Sequence, residues 1–564
     1  YQNRYLQTPD PALLLHARDH YAQALAALNR LSRSVSPASK STLAAQAADI
    51  CAGGIATDLL LRTPSDSLHA FDLAERSKAY VLFEAMKDAD ALHIAGIPDS
   101  LLERERDLRL EIAFFEKRQQ ELRDSLHQNA DSTRIATGGV LLDRKNRHEA
   151  LVRFFEEKYP DYHRAKYGLA TTGVAEVQQM LKPGQTLLEY TVGDSVIFAF
   201  VVRPDHFSVH TLPRNFPLEQ TVDSLTRLGI YAYYTLPKAK RTQTIEKNSV
   251  RNYTNAARLL YDKLVAPVAE HLSEELLIVP DGVLGYVPFE ALLTGEPARH
   301  SVFSTYEPHF LLQRHRLSYG ASATLLREMR DKQHRAEPRN TVLALAPFFR
   351  EDTAALRSRV DSTALFALRD VFGPLRASGD EAYAVTQLLG GSALYGAEAS
   401  LDAFRRLAPG FRVLHLSTHG KADDRAGDYA FLALGVPGDT STFDKLYARD
   451  LYGIGLNADL VVLSACETAT GKLRRGEGIV SLARAFSFAG AKSLVTSLWK
   501  VNDTTTKNLL VDFYQHLHKG QSKDEALRQA KLDFLINNRD ADINLLHPFF
   551  WAGFVAVGDM RAIK

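Results

Sequence analysis

Two short apolar runs in the last third of the chain stop abruptly on residues able to do chemistry. One reads Val413-Leu-His-Leu-Ser-Thr-His419-Gly420, the other Asp459-Leu-Val-Val-Leu-Ser-Ala-Cys466-Glu-Thr468. A cysteine becomes a nucleophile when a neighbouring base takes its proton or lowers its pKa. The carboxyl ends of strands in a parallel α/β sheet line the ligand crevice. An imidazole on one such end and a thiol on the next would therefore face the same groove. Gly420 and Ala465 permit close backbone approach, so the N–H groups of Gly420 and Cys466 are candidates for holding an oxyanion.

Each residue also has a plainer reading. A histidine at a strand end often serves structure, and a cysteine beside an apolar run is usually core. What favours chemistry is that both lie past the apolar run rather than inside it. His415, deeper in the first run, reads as structural. Candidates for a substrate pocket are Trp499 and Asp503 in Ser497-Leu-Trp-Lys-Val-Asn-Asp503, Asp423 beyond the histidine, and Glu467 beside the cysteine. Asp503 reads first as a helix N-cap and second as a pocket acid. The glycine-rich loop over 469–478 lacks the spacing of a phosphate-binding loop. Its Arg474-Arg475 pair is a candidate processing site. Neither a cofactor fingerprint nor metal-ligand spacing is present, so no cofactor and no metal are expected.

The elements that must position these residues follow from the rest of the chain. A length of 564 residues suggests three or four domains. A net charge of +1 gives no global field for nucleic acid or an anionic membrane. No apolar run is long enough to span a bilayer. Only Cys51 and Cys466 are present, too few for a disulfide scaffold, and Cys51 reads as core. A cytoplasmic location is the expectation. The chain opens on Tyr1 rather than methionine, so upstream sequence is expected.

Residues 1–165 carry helical periodicity over Pro11–Leu31, Leu43–Leu61 and Ser67–Met86. A charged pair of helical arms follows, Leu101–Leu126 and Arg144–Tyr159, with a loop expected at Ser132–Gly139. Near residue 170 the pattern changes to period two. Thr186–Val192 and Ser195–Val202 read as a hairpin around Gly193-Asp194, followed by strands over 206–212 and 276–280. A polar linker is expected at 335–340. Beyond it strands and helices alternate, which argues for a parallel sheet flanked by helices.

Several motifs together resemble the CHAT family, caspase-like peptidase domains associated with tetratricopeptide repeats. They are Leu414-His-Leu-Ser-Thr-His419-Gly420, Leu463-Ser-Ala-Cys466-Glu-Thr468, Gly476-Glu-Gly478, Ala485-Phe-Ser-Phe-Ala-Gly-Ala491 and Ser497-Leu-Trp499. Ile278-Val-Pro-Asp-Gly282, Tyr286-Val-Pro-Phe289 and His547-Pro-Phe-Phe-Trp-Ala-Gly-Phe554 extend the match. The resemblance implies an all-α, repeat-like region over 1–165, a degenerate caspase-like half over 166–335 and an active half over 336–564. It implies a cysteine endopeptidase with His419 as base and Cys466 as nucleophile, acting on a protein substrate. It further implies a regulatory partner bound to the helical region and a largely bacterial family engaged in defence or regulated cleavage. The alternative is a catalytically latent scaffold on the same fold.

Overall fold

In the computed structural model of the chain the described residues are 5, 7, 10–32, 37–78, 97–124, 130–160, 171–297, 306–349, 375–421, 430–451, 454–464, 481–499, 503–539 and 543–563. They fall into two units, one within residues 1–173 and one from Val174 onward. Among the described residues no helix is long and apolar enough to cross a membrane.

The first unit is helical. It contains α1 (Pro11–Ser32), α2 (Pro37–Leu61) and α3 (Pro64–Ser77). Local sequence sets the start of α3. Thr63 caps it and accepts from the Asp66 N–H, the Asp66 carboxylate accepts from the Thr63 N–H, and Pro64 occupies the first turn. Ala70, Phe71 and Ala74 are then buried on one face. Cys51 on α2 is fully buried, and burial pushes its thiol up to about 12. It is the inert core residue its neighbours suggested.

α4 (Asp99–Asp124) and α5 (Ala130–Lys158) form an antiparallel hairpin. His148 faces Glu105, Arg144 pairs with Glu111 and Gly138 lies against Gln119, so the partners run in opposite directions. Leu108, Leu151 and Phe155 form its core. The loop expected at 132–139 is instead part of α5. Gly138 and Gly139 carry a helix penalty of about 1 kcal/mol each, which packing along α4 overrides.

The second unit opens with α6 (Val174–Met180) and the meander β1 (Gln185–Val192), β2 (Val196–Arg203) and β3 (His206–Pro213). Gly193-Asp194 joins β1 to β2, whose pairing runs from Leu187 opposite Val202 to Val192 opposite Ile197. A helical stretch over 218–235 and α7 (Gln243–Leu260) lead to β4 (Glu275–Val279), β5 (Arg316–Tyr319) and α8 (Ala323–Asp331). The remaining elements are β6 (Asn340–Ala346), α9 (Arg376–Leu389), β7 (Gly391–Tyr395), α10 (Leu401–Leu407), β8 (Phe411–Leu416), β9 (Gly420–Lys421), β10 (Phe431–Val436) and β11 (Asp439–Tyr447). They end with β12 (Leu460–Leu463), α11 (Ser481–Ala489), β13 (Ser493–Ser497), α12 (Asp503–His518), α13 (Lys523–Asn538) and β14 (Phe554–Gly558).

Eleven strands form one sheet in the order β3-β2-β1-β4-β5-β14-β13-β12-β8-β6-β7. β1, β4, β5 and β14 run parallel. β13, β12, β8, β6 and β7 also run parallel to one another, and β14 meets β13 antiparallel, with Ser497 opposite Phe554. Apart from β2, which runs antiparallel to β1 and β3, the sheet therefore consists of two blocks of opposite direction. The carboxyl ends of β6, β8, β12 and β13 share one rim, and those of β1, β4 and β5 the other. Val342 to Ala346 are all buried, as expected of a parallel strand covered on both faces. The expected fold class holds: a mostly parallel sheet flanked by helices, preceded by a helical region.

A second sheet, β11-β10-β9, was not expected from the sequence. Phe431-Leu-Ala-Leu-Gly-Val436 is a short apolar run that suits a strand or a helix equally. The readable signal was Pro437-Gly438 between two strand-like runs, with Gly438 at φ +79°. Residues 334–336, within and beside the expected linker, are tied to the start of β12. His334 Nε2 lies 2.9 Å from Asp459, and the Arg335 and Ala336 N–H groups donate to Asn457 Oδ1.

Candidate active site

β8 and β12 are adjacent and parallel, with Leu460 opposite Val413 and Leu463 opposite Leu416. On either side Leu345 of β6 lies opposite Leu416, and Thr496 of β13 opposite Leu463. Four strands thus end level on one rim, and the chain continues from them into Phe348, His419, Ser464 and Trp499. Their apolar residues satisfy the sheet, and the change to small and polar residues releases the backbone at the same height. His419 stands three residues past Leu416. Cys466 stands three past Leu463 in the sequence. It lies outside the described residues, as do Glu467, Asp423, Arg474 and Arg475.

His419 is 7% exposed. The Phe348 ring meets it edge-on, with centroids 4.7 Å apart and planes at 79°. The His419 carbonyl accepts the Ala433 N–H at 2.9 Å, which fastens it to β10. Gly420 sits opposite Leu432. Given that bond, Gly420 and Leu432 form a non-hydrogen-bonded pair, so the ladder does not use the Gly420 N–H at this position.

Behind the rim, His415 is fully buried. Its Nδ1 lies 3.0 Å from the Tyr514 hydroxyl and its Nε2 lies 3.1 Å from Glu381 Oε1. The Ser417 hydroxyl donates to Glu381 Oε2 at 3.3 Å. His415 is therefore enclosed, in keeping with its structural reading. Glu381, Tyr514 and Phe348 belong to this neighbourhood and were not singled out from sequence. They come from α9, α12 and the turn after β6, and nothing in their local pattern marks them.

Trp499 is 3% exposed, and its indole N–H donates to the Phe549 carbonyl at 3.2 Å. It packs in the interior at the end of β13. Asp503 is the first residue of α12, and its side chain lies outside the described residues. The terminal motif has a structural task. The His547 ring nitrogen Nδ1 accepts the Phe549 N–H at 3.1 Å, and the Trp551 indole donates to the Leu546 carbonyl at 3.0 Å. These bonds hold the turn that carries the acceptor for Trp499. Among the described residues no group of histidine, cysteine or acidic side chains could hold a metal ion.

The profile of the family described as CHAT domain matches residues 254–559, more than half of the chain. Tetratricopeptide repeat protein 28 of Mus musculus is 25% identical over 383 residues, which cover 60% of this chain and 15% of that protein. Tetratricopeptide repeat protein 28 of Homo sapiens is 25% identical over 388 residues, covering 61% of this chain and 15% of that protein. The match thus spans about 15% of the length of these curated relatives. Two crystal structures of the Saccharomyces cerevisiae separase–securin complex align over 90% of this chain and 37% of theirs, at 9% identity and TM-scores of 0.43 and 0.41. Likenesses this weak leave the fold to be read from the strand order itself. With the profile covering both the His-Gly and the Ala-Cys-Glu-Thr strand ends, the chain belongs to the CHAT domain family.

Proposed function

We propose that this chain is a cysteine endopeptidase in which Cys466 attacks a peptide carbonyl and His419 serves as its base. The observation that carries the reading is the register of β8 and β12. Leu416 and Leu463 are paired on adjacent parallel strands, and the imidazole and the thiol each follow three residues later. His419 takes the thiol proton, the sulfur adds to the carbonyl carbon, and the N–H groups of Gly420 and Cys466 hold the oxyanion. Proton return from His419 releases the amine, and water activated by His419 hydrolyses the thioester. Asp503, Asp423 and Glu467 are the pocket candidates, Trp499 being packed in the interior. The substrate is a protein, and a partner bound to the helical region regulates cleavage in the cytoplasm, in a role in defence or signalling.

The test is a peptide-library cleavage profile of the full chain beside Cys466→Ala. Cleavage should vanish in the variant, and a thiol-reactive peptide probe should label Cys466 but not the His419→Ala chain. Cleavage by Cys466→Ala at the parental rate would refute the assignment. A latent scaffold remains the second reading, favoured by the 7% exposure of His419. A chain that folds, binds a partner through its helices and never labels at Cys466 would establish it.

A further inference from the structure

Glu381 is 1% exposed, on the first turns of α9. Burying a carboxylate costs several kcal/mol unless partners replace its water. Two of its partners belong to β8 and the residue that follows it: His415 at 3.1 Å and Ser417 at 3.3 Å. A third group, the Tyr514 hydroxyl of α12, closes the cluster from the other side of His415. α9 and α12 are also joined at the surface by Lys507 and Asp380, 2.9 Å apart. Past Leu416 the ladder of β8 to β12 has ended. The segment is then held by the Ser417 N–H on the Leu345 carbonyl, by Ser417 on Glu381, and by bonds of Thr418 and His419 to Ala433. Glu381 Oε2 accepts from Ser417, while Glu381 Oε1 and His415 Nε2 face each other at 3.1 Å without hydrogen-bond geometry, so moving either side chain would strand the other in the interior.

We propose that Glu381 is a positioning residue for His419, acting through His415 and Ser417; the role of His419 as base rests on the function proposed above. The experiment uses the full chain with Glu381→Gln and Ser417→Ala. The first readout is the pH profile of Cys466 alkylation by iodoacetamide. Cys51 is silent there, because it is buried and its thiol is pushed up to about 12. The second is the ring carbon resonance of His419 in ¹³C-histidine chains carrying Cys466→Ala, assigned with His419→Gln. Glu381→Gln should slow alkylation at neutral pH about tenfold, equivalent to about 1.4 kcal/mol, within the range for residues coupled in one network. The His419 resonance and its titration should move as well. Ser417→Ala should shift both readouts the same way by less, and it decides the matter if Glu381→Gln does not fold. A His419 resonance unchanged in both variants would overturn the proposal. The resonance is read whether or not Cys466 is reactive. A wild-type thiol no faster than a model thiol counts against the peptidase reading, while the resonance still decides Glu381.

Discussion

Acid should destabilise the second unit in part through a buried side chain, His547. Its ring is 1% exposed and lies 4.8 Å from the Tyr234 ring and 6.0 Å from the Tyr253 ring. Burial alone lowers its pKa from 6.5 to about 3. The sign follows from which state takes up the proton. Between these two values the unfolded chain binds a proton that the folded chain refuses. The stability is therefore fully present above pH 6.5 and is lost as pH falls toward 3. Each pH unit inside that window is worth about 1.4 kcal/mol, so the loss is about 2 kcal/mol at pH 5 and about 4 kcal/mol at pH 3, where the folded ring is half protonated. The assay is urea unfolding of the full chain followed by tryptophan fluorescence at pH 7.5, 6 and 5. Both tryptophans, Trp499 and Trp551, lie in this unit, and Trp551 is four residues from His547. The comparison is His547→Asn, whose amide oxygen can still accept the Phe549 N–H. Any constant cost of the variant cancels when slopes are compared. Wild type should lose about 2 kcal/mol more than His547→Asn between pH 7.5 and 5. Equal slopes for the two chains would refute the reasoning.

Two further outcomes concern the core. Lys531 Nζ lies 3.1 Å from Glu290 Oε1, and the Tyr319 hydroxyl donates to Glu290 Oε2 at 2.5 Å, all buried. Lys531→Met should cost about 3–5 kcal/mol by stranding the carboxylate, and adding Glu290→Gln should recover most of it in denaturant melts. No recovery in the double variant would contradict the ion-pair account. Gly490 ends the turn after α11 at φ +124°, and a Cβ there would sit 2.2 Å from the Leu456 carbonyl oxygen. That carbonyl cannot withdraw freely, because the Leu456 N–H is bonded to Ala489. Gly490→Ala should cost about 1–3 kcal/mol, read as a lower melting temperature, and an unchanged melt would show that the turn can relax.

Most of the sheet was legible in the sequence. Apart from His415, Val413 to Leu416 and Leu460 to Leu463 are apolar on both faces, the pattern of a parallel strand covered on both sides. Their sudden ends at Ser417 and Ser464 marked the rim before any pairing was known. The helical hairpin of α4 and α5 was legible from its charge and periodicity, while its continuation through Gly138 and Gly139 was not. β10 escaped because six apolar residues have no period of their own, and only its antiparallel neighbours make it a strand.

By itself the chain determined where strands stop and which side chains wait there, because the hydrophobic period is local and written residue by residue. Tertiary structure alone decided that β8 lies beside β12 with Leu416 opposite Leu463, that β14 turns the two blocks of the sheet against each other, and that Glu381 and Tyr514 close around His415. Such contacts join residues tens of positions apart. They are selected by burial and pairing energy in three dimensions, for which a one-dimensional pattern has no term.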